Sequence, residues 1–175
     1  LVLRGVTTVE FDGFTHVDLS VAPAAGQSDL RRFDLVIPFK EAYARMINFY
    51  KKAPGPGTEG GLTGRLPPLP FQSPVCTLHD VGTDRVGLQF VCENMRGWRV
   101  ERPDEAVELV RGGDTVREIF HFVDHSQRLS GPLHIEFALL PIPARDWPRN
   151  WATRRISNSS MGLPPVDDPE ALAVW

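Results

Sequence analysis

Apolar and polar residues alternate with a period of two along most of this chain, and this pattern constrains the fold more than any other feature. A strand with one buried face shows it because successive side chains point to opposite sides of a sheet. The apolar positions of the clearest runs are Val17, Leu19 and Val21; Phe33, Leu35, Ile37 and Phe39; Val86, Leu88, Phe90 and Cys92; Val107 and Leu109; and Leu133, Ile135, Phe137 and Leu139.

One further run departs from simple alternation. Val116, Phe120 and Phe122 share a face, but Glu118 interrupts that face and Ile119 points the other way. This mixture is typical of a strand that is covered on both sides.

Turn residues separate the runs and limit the number of sheets. Hairpins or loops are predicted at Asp12–Gly13, Ala25–Gly26, Gly82–Asp84 and Arg111–Asp114, where Gly and Asp tolerate turn conformations. We count eight or nine strands, too many for one half-exposed sheet of ordinary width. The sequence therefore predicts an all-β fold, an antiparallel two-sheet β-sandwich.

Glycine and proline are abundant, with 15 and 16 residues in a chain of 175. Long helices are therefore not expected. The one helical candidate is Lys40–Tyr50, which is interpreted as a short helix or an irregular edge. A long Gly/Pro-rich loop is predicted over Ala53–Pro70, extended as polyproline II in its second half.

Two domain segments are predicted from these patterns. Residues 1–143 form the sandwich, and residues 144–175, with their scattered prolines, read as an exit linker. The chain begins at Leu1 without a methionine and ends at the apolar Trp175, so we treat it as a domain excised from a longer protein.

Composition and charge exclude several classes of protein. Hydrophobic residues make up 42% and charged residues 23% of the chain, which is the balance of a globular protein rather than a disordered one. The net charge of −3 gives no attraction to phosphate backbones or anionic lipid, so neither nucleic acid nor membrane is an expected partner. No run approaches the roughly 20 apolar residues of a membrane span.

The two cysteines lie in apolar stretches, where buried thiols are common. If these stretches form a hairpin, pairing positions that sum to 168 places Cys76 opposite Cys92, whereas a sum of 167 places Cys76 opposite Val91. A disulfide is compatible with the first register only, and the sequence leaves the choice open.

Residues with catalytic or ligand-binding chemistry are present, but not in patterns that require a reaction centre. His121 and His125 are four apart and His79 precedes Asp80, yet alternate strand residues diverge, so solvent-facing strand histidines and no metal or cofactor are expected. Asp104–Glu105 opens a strand after a proline, and we interpret it as a solvated turn.

The segment that follows the last predicted strand mixes aromatic and basic residues. Trp147 and Trp151 stand among four arginines, a mixture that could stack on sugar rings or bases. The alternative is that the two tryptophans pack against a neighbouring domain, which is the interpretation we favour.

One stretch resembles a known family. Residues 84–98 are similar to the Asp-Arg-x-Gly-Leu...Glu...Gly-Trp segment in the N-terminal β-sandwich of family-123 glycoside hydrolases and their uncharacterised relatives. The motif residues are Asp84, Arg85, Gly87, Leu88, Glu93, Gly97 and Trp98. Shorter matches in the same order are Phe11–Gly13, Leu35–Pro38, Pro70–Phe71 and Phe137–Pro143.

The resemblance implies a function for the parent protein and a C-terminal catalytic domain that follows this one. Characterised family members are exo-acting β-N-acetylgalactosaminidases in which the acetamido group of the substrate attacks the anomeric carbon, and their catalytic Asp-Glu pair belongs to a C-terminal (β/α) barrel. Asp104–Glu105 matches that dipeptide but not its place, so the role is not transferred. We therefore expect a non-catalytic N-terminal domain that docks on a barrel through its last strands and the Trp147–Trp151 segment, in an extracellular or periplasmic protein.

The motif residues also have a purely structural interpretation. Gly87 suits a bulge or a close approach of backbones, and Trp98 would bury a large ring whose N–H needs a partner, for which Glu93 is a candidate. The rival hypothesis is a self-standing carbohydrate-binding module in which Glu93, Trp98, Trp147 or Trp151 contacts sugar. A complete small hydrolase based on Asp104 and Glu105 is the third alternative.

Overall fold

The computed structural model describes residues 1–52, 59–74 and 78–143, with the side chains of 50–52 and 59–61 left out of the description. These residues contain thirteen strands and two single-turn 3₁₀ helices, Glu41–Tyr43 and Pro103–Glu105. The strands are β1 Val2–Val9, β2 Thr15–Ala22, β3 Ser28–Leu30, β4 Phe33–Lys40, β5 Met46–Lys52, β6 Glu59–Arg65, β7 Phe71–Ser73, β8 Leu78–Gly82, β9 Gly87–Val91, β10 Val107–Gly112, β11 Thr115–Val123, β12 Gln127–Leu129 and β13 Leu133–Ile142.

The strands form two main antiparallel sheets, which confirms the predicted all-β sandwich. The larger sheet has seven strands in the order β1-β2-β13-β9-β8-β5-β6, and the smaller has four in the order β4-β11-β10-β7. The short strands β12 and β3 pair separately. Within the described ranges, no helix has the length and apolar character that a membrane span requires.

The core lies between the inner faces of the two main sheets, and the alternating runs of the sequence supply it. The buried apolar side chains that the larger sheet contributes are Val21, Ile47, Phe49, Val81, Phe90, Leu133, Ile135 and Phe137. Those of the smaller sheet are Ile37, Val107, Leu109, Val116, Phe120, Phe122 and Val123. Burial of apolar area stabilises such a pair of sheets by about 25 cal/mol per Å².

Three of the predicted turns form hairpins, and the one at Arg111–Asp114 joins β10 to β11, with Gly112 paired to Thr115. In the β1–β2 turn the N–H of Glu10 donates to the carbonyl of Phe14, and Gly13 adopts a φ of 91° that other residues rarely tolerate. The β8–β9 hairpin pairs Leu78 with Val91, and Gly82 with Gly87, so paired positions sum to 169 rather than 168 or 167. Both predicted registers were therefore wrong.

The helix predicted over Lys40–Tyr50 is absent. A single 3₁₀ turn occupies Glu41–Tyr43, and Met46–Lys52 is strand β5, which pairs with β6 on one side and with β8 on the other. The apolar spacing in this segment fits a helix and a strand almost equally well over so short a length. The segment forms a strand because neighbouring strands pair with both of its edges.

The Gly/Pro-rich loop is shorter than predicted. Glu59–Arg65 is strand β6, an edge strand whose glycines align with β5, and residues 53–58 lie outside the described ranges. Glycine lowers intrinsic strand propensity, but hydrogen bonds to a neighbouring strand compensate for it at an edge.

Gly97 makes a close backbone contact with β13, and this contact positions the segment that contains the motif residue Trp98. Gly97 has a φ of 87°, and a Cβ atom at this position would lie 1.8 Å from the carbonyl oxygen of His134. The next residues continue along β11, where the N–H of Arg99 donates to the carbonyl of Phe122 at 2.7 Å. Glycine is therefore required where this segment crosses the sheet.

We predict that Gly97→Ala lowers the free energy of unfolding by about 2–4 kcal/mol, because it combines a strained φ with a backbone clash. The matched control is Gly131→Ala, where an added Cβ meets nothing within 4 Å. The control should change stability by less than about 1 kcal/mol. Urea unfolding measures both, and equal effects of the two substitutions would contradict the assignment.

Candidate functional site

The first four motif residues build the β8–β9 hairpin. Asp84 and Arg85 are exposed at its tip. Thr83 holds the loop closed, because its Oγ1 accepts the N–H groups of Arg85 and Val86, each at 3.1 Å. The tip therefore owes its shape to Thr83, a hydroxyl turn residue that the sequence analysis did not single out.

The close approach of backbones expected at Gly87 is present. A Cβ on Gly87 would lie 2.9 Å from the carbonyl oxygen of Val81, and one on Gly82 only 2.5 Å from that of Val86. The paired glycines let β8 and β9 meet closely at the turn, after which Leu88 packs against the core.

Trp98 belongs to the core. Its side chain is buried, and its ring meets Phe122 edge-on with centroids 4.7 Å apart. The Nε1–H has no acceptor among the described residues, so the predicted partnership with Glu93 was wrong. A ring in this position cannot serve as a platform for a sugar.

Glu93 lies instead on a small open hollow of about 180 Å³ at the end of β2, β13 and β9. Polar side chains on its wall are His16, Glu93, Asn94 and Glu136, and Phe14 lines it as well. The Nε2 atom of His16 is 2.7 Å from a carboxylate oxygen of Glu136, with both side chains largely in solvent. Groups of this kind can bind hydroxyl or amide groups of a small ligand.

A second group of polar side chains lies inside the sandwich, where it joins the two sheets. His79 projects inward from β8 of the larger sheet, while Ser73 and Glu118 project inward from β7 and β11 of the smaller. The Nδ1 atom of His79 is 2.5 Å from Oε1 of Glu118, and Nε2 is 3.1 Å from Oγ of Ser73. We call these residues the core triad.

The aromatic surroundings of the core triad exclude water. The imidazole of His79 stacks on Phe49 with centroids 5.4 Å apart, and it meets Phe120 edge-on at 5.9 Å. The exposed fraction is 1% for Ser73 and 0% for both His79 and Glu118. A polar group in such a place must be paired, because no water can replace a lost hydrogen bond.

Burial dominates the electrostatics of the triad. Desolvation raises the pKa of the Glu118 carboxyl, and the charge of Asp80 acts in the same direction, while the hydrogen bond and charge of His79 oppose both. The 2.5 Å contact needs one proton between the two atoms. The neutral acid is therefore favoured more strongly in the native state than in the unfolded chain.

Ser73, His79 and Glu118 contact one another in the order of a catalytic nucleophile, base and orienting acid. Their buried position does not suit catalysis. A hydroxyl, an imidazole and a carboxylate in this order can activate a serine when a substrate reaches the hydroxyl. Here the hydroxyl of Ser73 faces the sealed interior. The arrangement links the two sheets through His79, and it leaves Oε2 of Glu118 without a hydrogen-bond partner among the described residues.

The expectation of solvent-facing strand histidines was wrong for two residues. His79 is in the core, and His121 is buried on the outer side of β11, where its Nδ1 lies 2.9 Å from Asp34. His125 contacts Asp124 at 2.6 Å and is half-buried. Among the described residues, no group of three or more His, Cys, Asp and Glu side chains is placed to hold a metal ion.

The remaining predicted residues have simpler positions. Asp104 is exposed and Glu105 half-buried on the 3₁₀ turn before β10, which confirms the solvated turn, and Glu105 contacts Arg102 at 2.5 Å. Cys92 is buried. Cys76, Trp147 and Trp151 lie outside the described residues, as does the predicted linker 144–175.

The triad could have been inferred from one signal in the sequence. Glu118 stands on the apolar face of its strand, and a carboxylate there requires a buried partner. Which residue supplies that partner is decided by the opposite sheet.

In comparisons with known proteins, no family model, no curated protein and no solved structure matches the chain.

We predict that Glu118 makes stability depend on pH. Its native pKa lies above the unfolded value, so the native state binds the proton more tightly, and stability falls as the pH rises from the usual glutamate pKa through the raised one. Urea unfolding at a series of pH values should show this slope in the wild type. The slope should be absent in Glu118→Gln and retained in Glu108→Gln, a control on the outer face of the same sheet; an unchanged slope in Glu118→Gln would refute the assignment.

We also predict that the triad is replaceable as a unit. His79→Phe alone leaves the Glu118 carboxyl without its partner and should lower the free energy of unfolding by about 3–5 kcal/mol, whereas His79→Phe with Glu118→Leu should stay within about 2 kcal/mol of the wild type. The exposed pair His16 and Glu136 is the matched control, and its double replacement should change stability by less than about 1 kcal/mol. A double core variant less stable than His79→Phe would contradict a structural role.

Proposed function

We propose that residues 1–143 form a non-catalytic accessory β-sandwich of a glycoside-hydrolase-like protein, and that this domain supports a C-terminal (β/α) barrel. The observation that carries the proposal is the burial of Trp98 and of the core triad. Trp98 packs in the interior, Gly87 closes a hairpin, and the core triad is sealed between the sheets. These residues therefore stabilise the sandwich, and no substrate can reach them.

The resemblance of residues 84–98 supplies the rest of the proposal. It favours a parent protein that acts on β-linked N-acetylgalactosamine and carries its acid and its acetamido-orienting carboxylate on the barrel. In this proposal the sandwich docks through its last strands and the Trp147–Trp151 segment. Asp104 and Glu105 take no part, because they lie on a turn where Glu105 is held by Arg102.

A second candidate, a carbohydrate-binding module, is favoured by one specific observation. The hollow at Glu93 brings together two carboxylates, an imidazole and an amide beside the half-buried ring of Phe14. Such groups hydrogen-bond sugar hydroxyl and acetamido groups while a ring covers an apolar sugar face. This candidate uses Glu93 and His16 and does not need Trp98.

Calorimetric titration with N-acetylgalactosamine and its oligosaccharides separates the two candidates. For the accessory domain we expect no turnover of an aryl β-N-acetylgalactosaminide and a dissociation constant weaker than about 1 mM, because a shallow hollow encloses little of a ligand. Tighter binding that Glu93→Gln or His16→Ala removes, and that Glu108→Gln retains, would establish the binding module instead. Turnover by the isolated chain would refute both.

The gene sequence downstream of Trp175 tests the proposed partner directly. A continuing frame of several hundred codons with strand-helix alternation is the expected result, since that alternation is the pattern of a (β/α) barrel. A stop codon immediately after Trp175 would overturn the accessory role.

A further inference from the structure

Strand β1 leaves an unusual amount of apolar surface in solvent. All eight of its residues are exposed. Leu3 is 60%, Val6 68% and Val9 65% exposed, so both faces of the strand carry uncovered apolar side chains. The smaller sheet does not cover the inner face of β1, which is the end strand of the seven-stranded sheet.

Among the described strands, only β2 pairs with β1, so one side of the β1 backbone has no partner strand there. The hydrogen bond from Glu10 to Phe14 marks these two residues as a hydrogen-bonded pair, and such pairs alternate along an antiparallel ladder. Even-numbered residues of β1 therefore bond to β2. The odd-numbered residues Leu3, Gly5, Thr7 and Val9 direct their N–H and C=O groups away from the sheet.

The usual protections of an edge strand are missing from β1. Edge strands are commonly blunted by proline, by bulges or by charged side chains. The edge strand β4 of the smaller sheet contains Pro38 and ends at Lys40, whereas β1 has no proline, pairs with β2 without a bulge and carries Arg4 as its one charge. This difference indicates that β1 accepts a partner strand.

We propose that β1 is the interface of a symmetric dimer, in which it pairs antiparallel with β1 of a second copy of this chain about a two-fold axis at Val6. Two seven-stranded sheets then join into one continuous sheet. Leu3 faces Val9 of the second copy, Gly5 faces Thr7, and Val6 faces itself. The four outward-directed residues of each strand all form hydrogen-bonded pairs in this register.

The charges favour a second copy, and the hydrogen bonds select this register. Arg4 stands opposite Thr8 of the second copy and diagonal to its Glu10, on the same face, and symmetry repeats the contact. Moving the axis to Gly5 places Arg4 diagonal to Arg4 of the second copy, which is repulsive. Moving it to Thr7 places Arg4 directly opposite Glu10 of the second copy, but it leaves only three hydrogen-bonded pairs within the strands and places Leu3 opposite Phe11, beyond β1.

Sedimentation equilibrium of the full chain tests the dimer. Because an edge-to-edge contact is small, we expect a reversible dimer with a dissociation constant on the order of 100 µM. Val6→Lys brings two like charges together at the axis and should leave a monomer throughout this range. The matched control Val36→Lys, at a valine 46% exposed on β4, should dimerise like the wild type.

Three outcomes of this experiment would overturn the proposal. They are a wild type that remains monomeric at about 500 µM, a dimer that persists in Val6→Lys, and a dimer that Val36→Lys abolishes. Thermal unfolding of each variant as a monomer establishes that the substitution has not disrupted the fold.

A charge-reversal cycle tests the contact between Arg4 and Glu10 of the second copy. Arg4→Glu and Glu10→Arg should each weaken dimerisation by about tenfold, because each replaces two attractive diagonal contacts with repulsive ones. The double variant restores opposite charges and should return to within about threefold of the wild type. Additive losses in the double variant would exclude the Val6-centred register.

Discussion

The burial of two apolar sheet faces against each other is the constraint on which this structure depends. Polar groups buried in that interface need partners, and the core triad brings such groups together from both sheets while leaving Oε2 of Glu118 unpartnered among the described residues. His79 of the larger sheet reaches Ser73 and Glu118 of the smaller, and its ring packs against Phe49 and Phe120. The contact fixes which strands face each other, since neither sheet alone can pair these groups.

The same constraint explains why residues with catalytic chemistry serve a structural purpose. A serine, histidine and glutamate in relay order would be reactive at a surface, but here the packing that orients them also removes them from any substrate. Trp98 is likewise held away from any ligand, because its segment passes β13 at Gly97 and its ring packs beside Phe122. Of the segment 84–98, Trp98 thus contributes to the interior, whereas Asp84, Arg85 and Glu93 are exposed.

Two described surfaces that we propose for partners lie on the larger sheet. One is the hollow at Glu93 and His16, and the other is the free edge of β1. They differ in chemistry, since the hollow offers polar side chains to a small ligand and the edge offers backbone groups with apolar side chains to a strand. Occupation of one does not require the other, because the hollow is lined by β2, β13 and β9 rather than by β1.

The sequence by itself determined the features that depend on neighbours along the chain. Alternation at Val17, Leu19 and Val21 specified a half-buried strand, and Asp12–Gly13 specified its hairpin, because side-chain direction and turn geometry are local properties. Tertiary structure decided the rest. Lys40–Tyr50 contains a strand because two distant strands pair with it, and the partner of Glu118 is a histidine of the opposite sheet, a contact that no local pattern encodes.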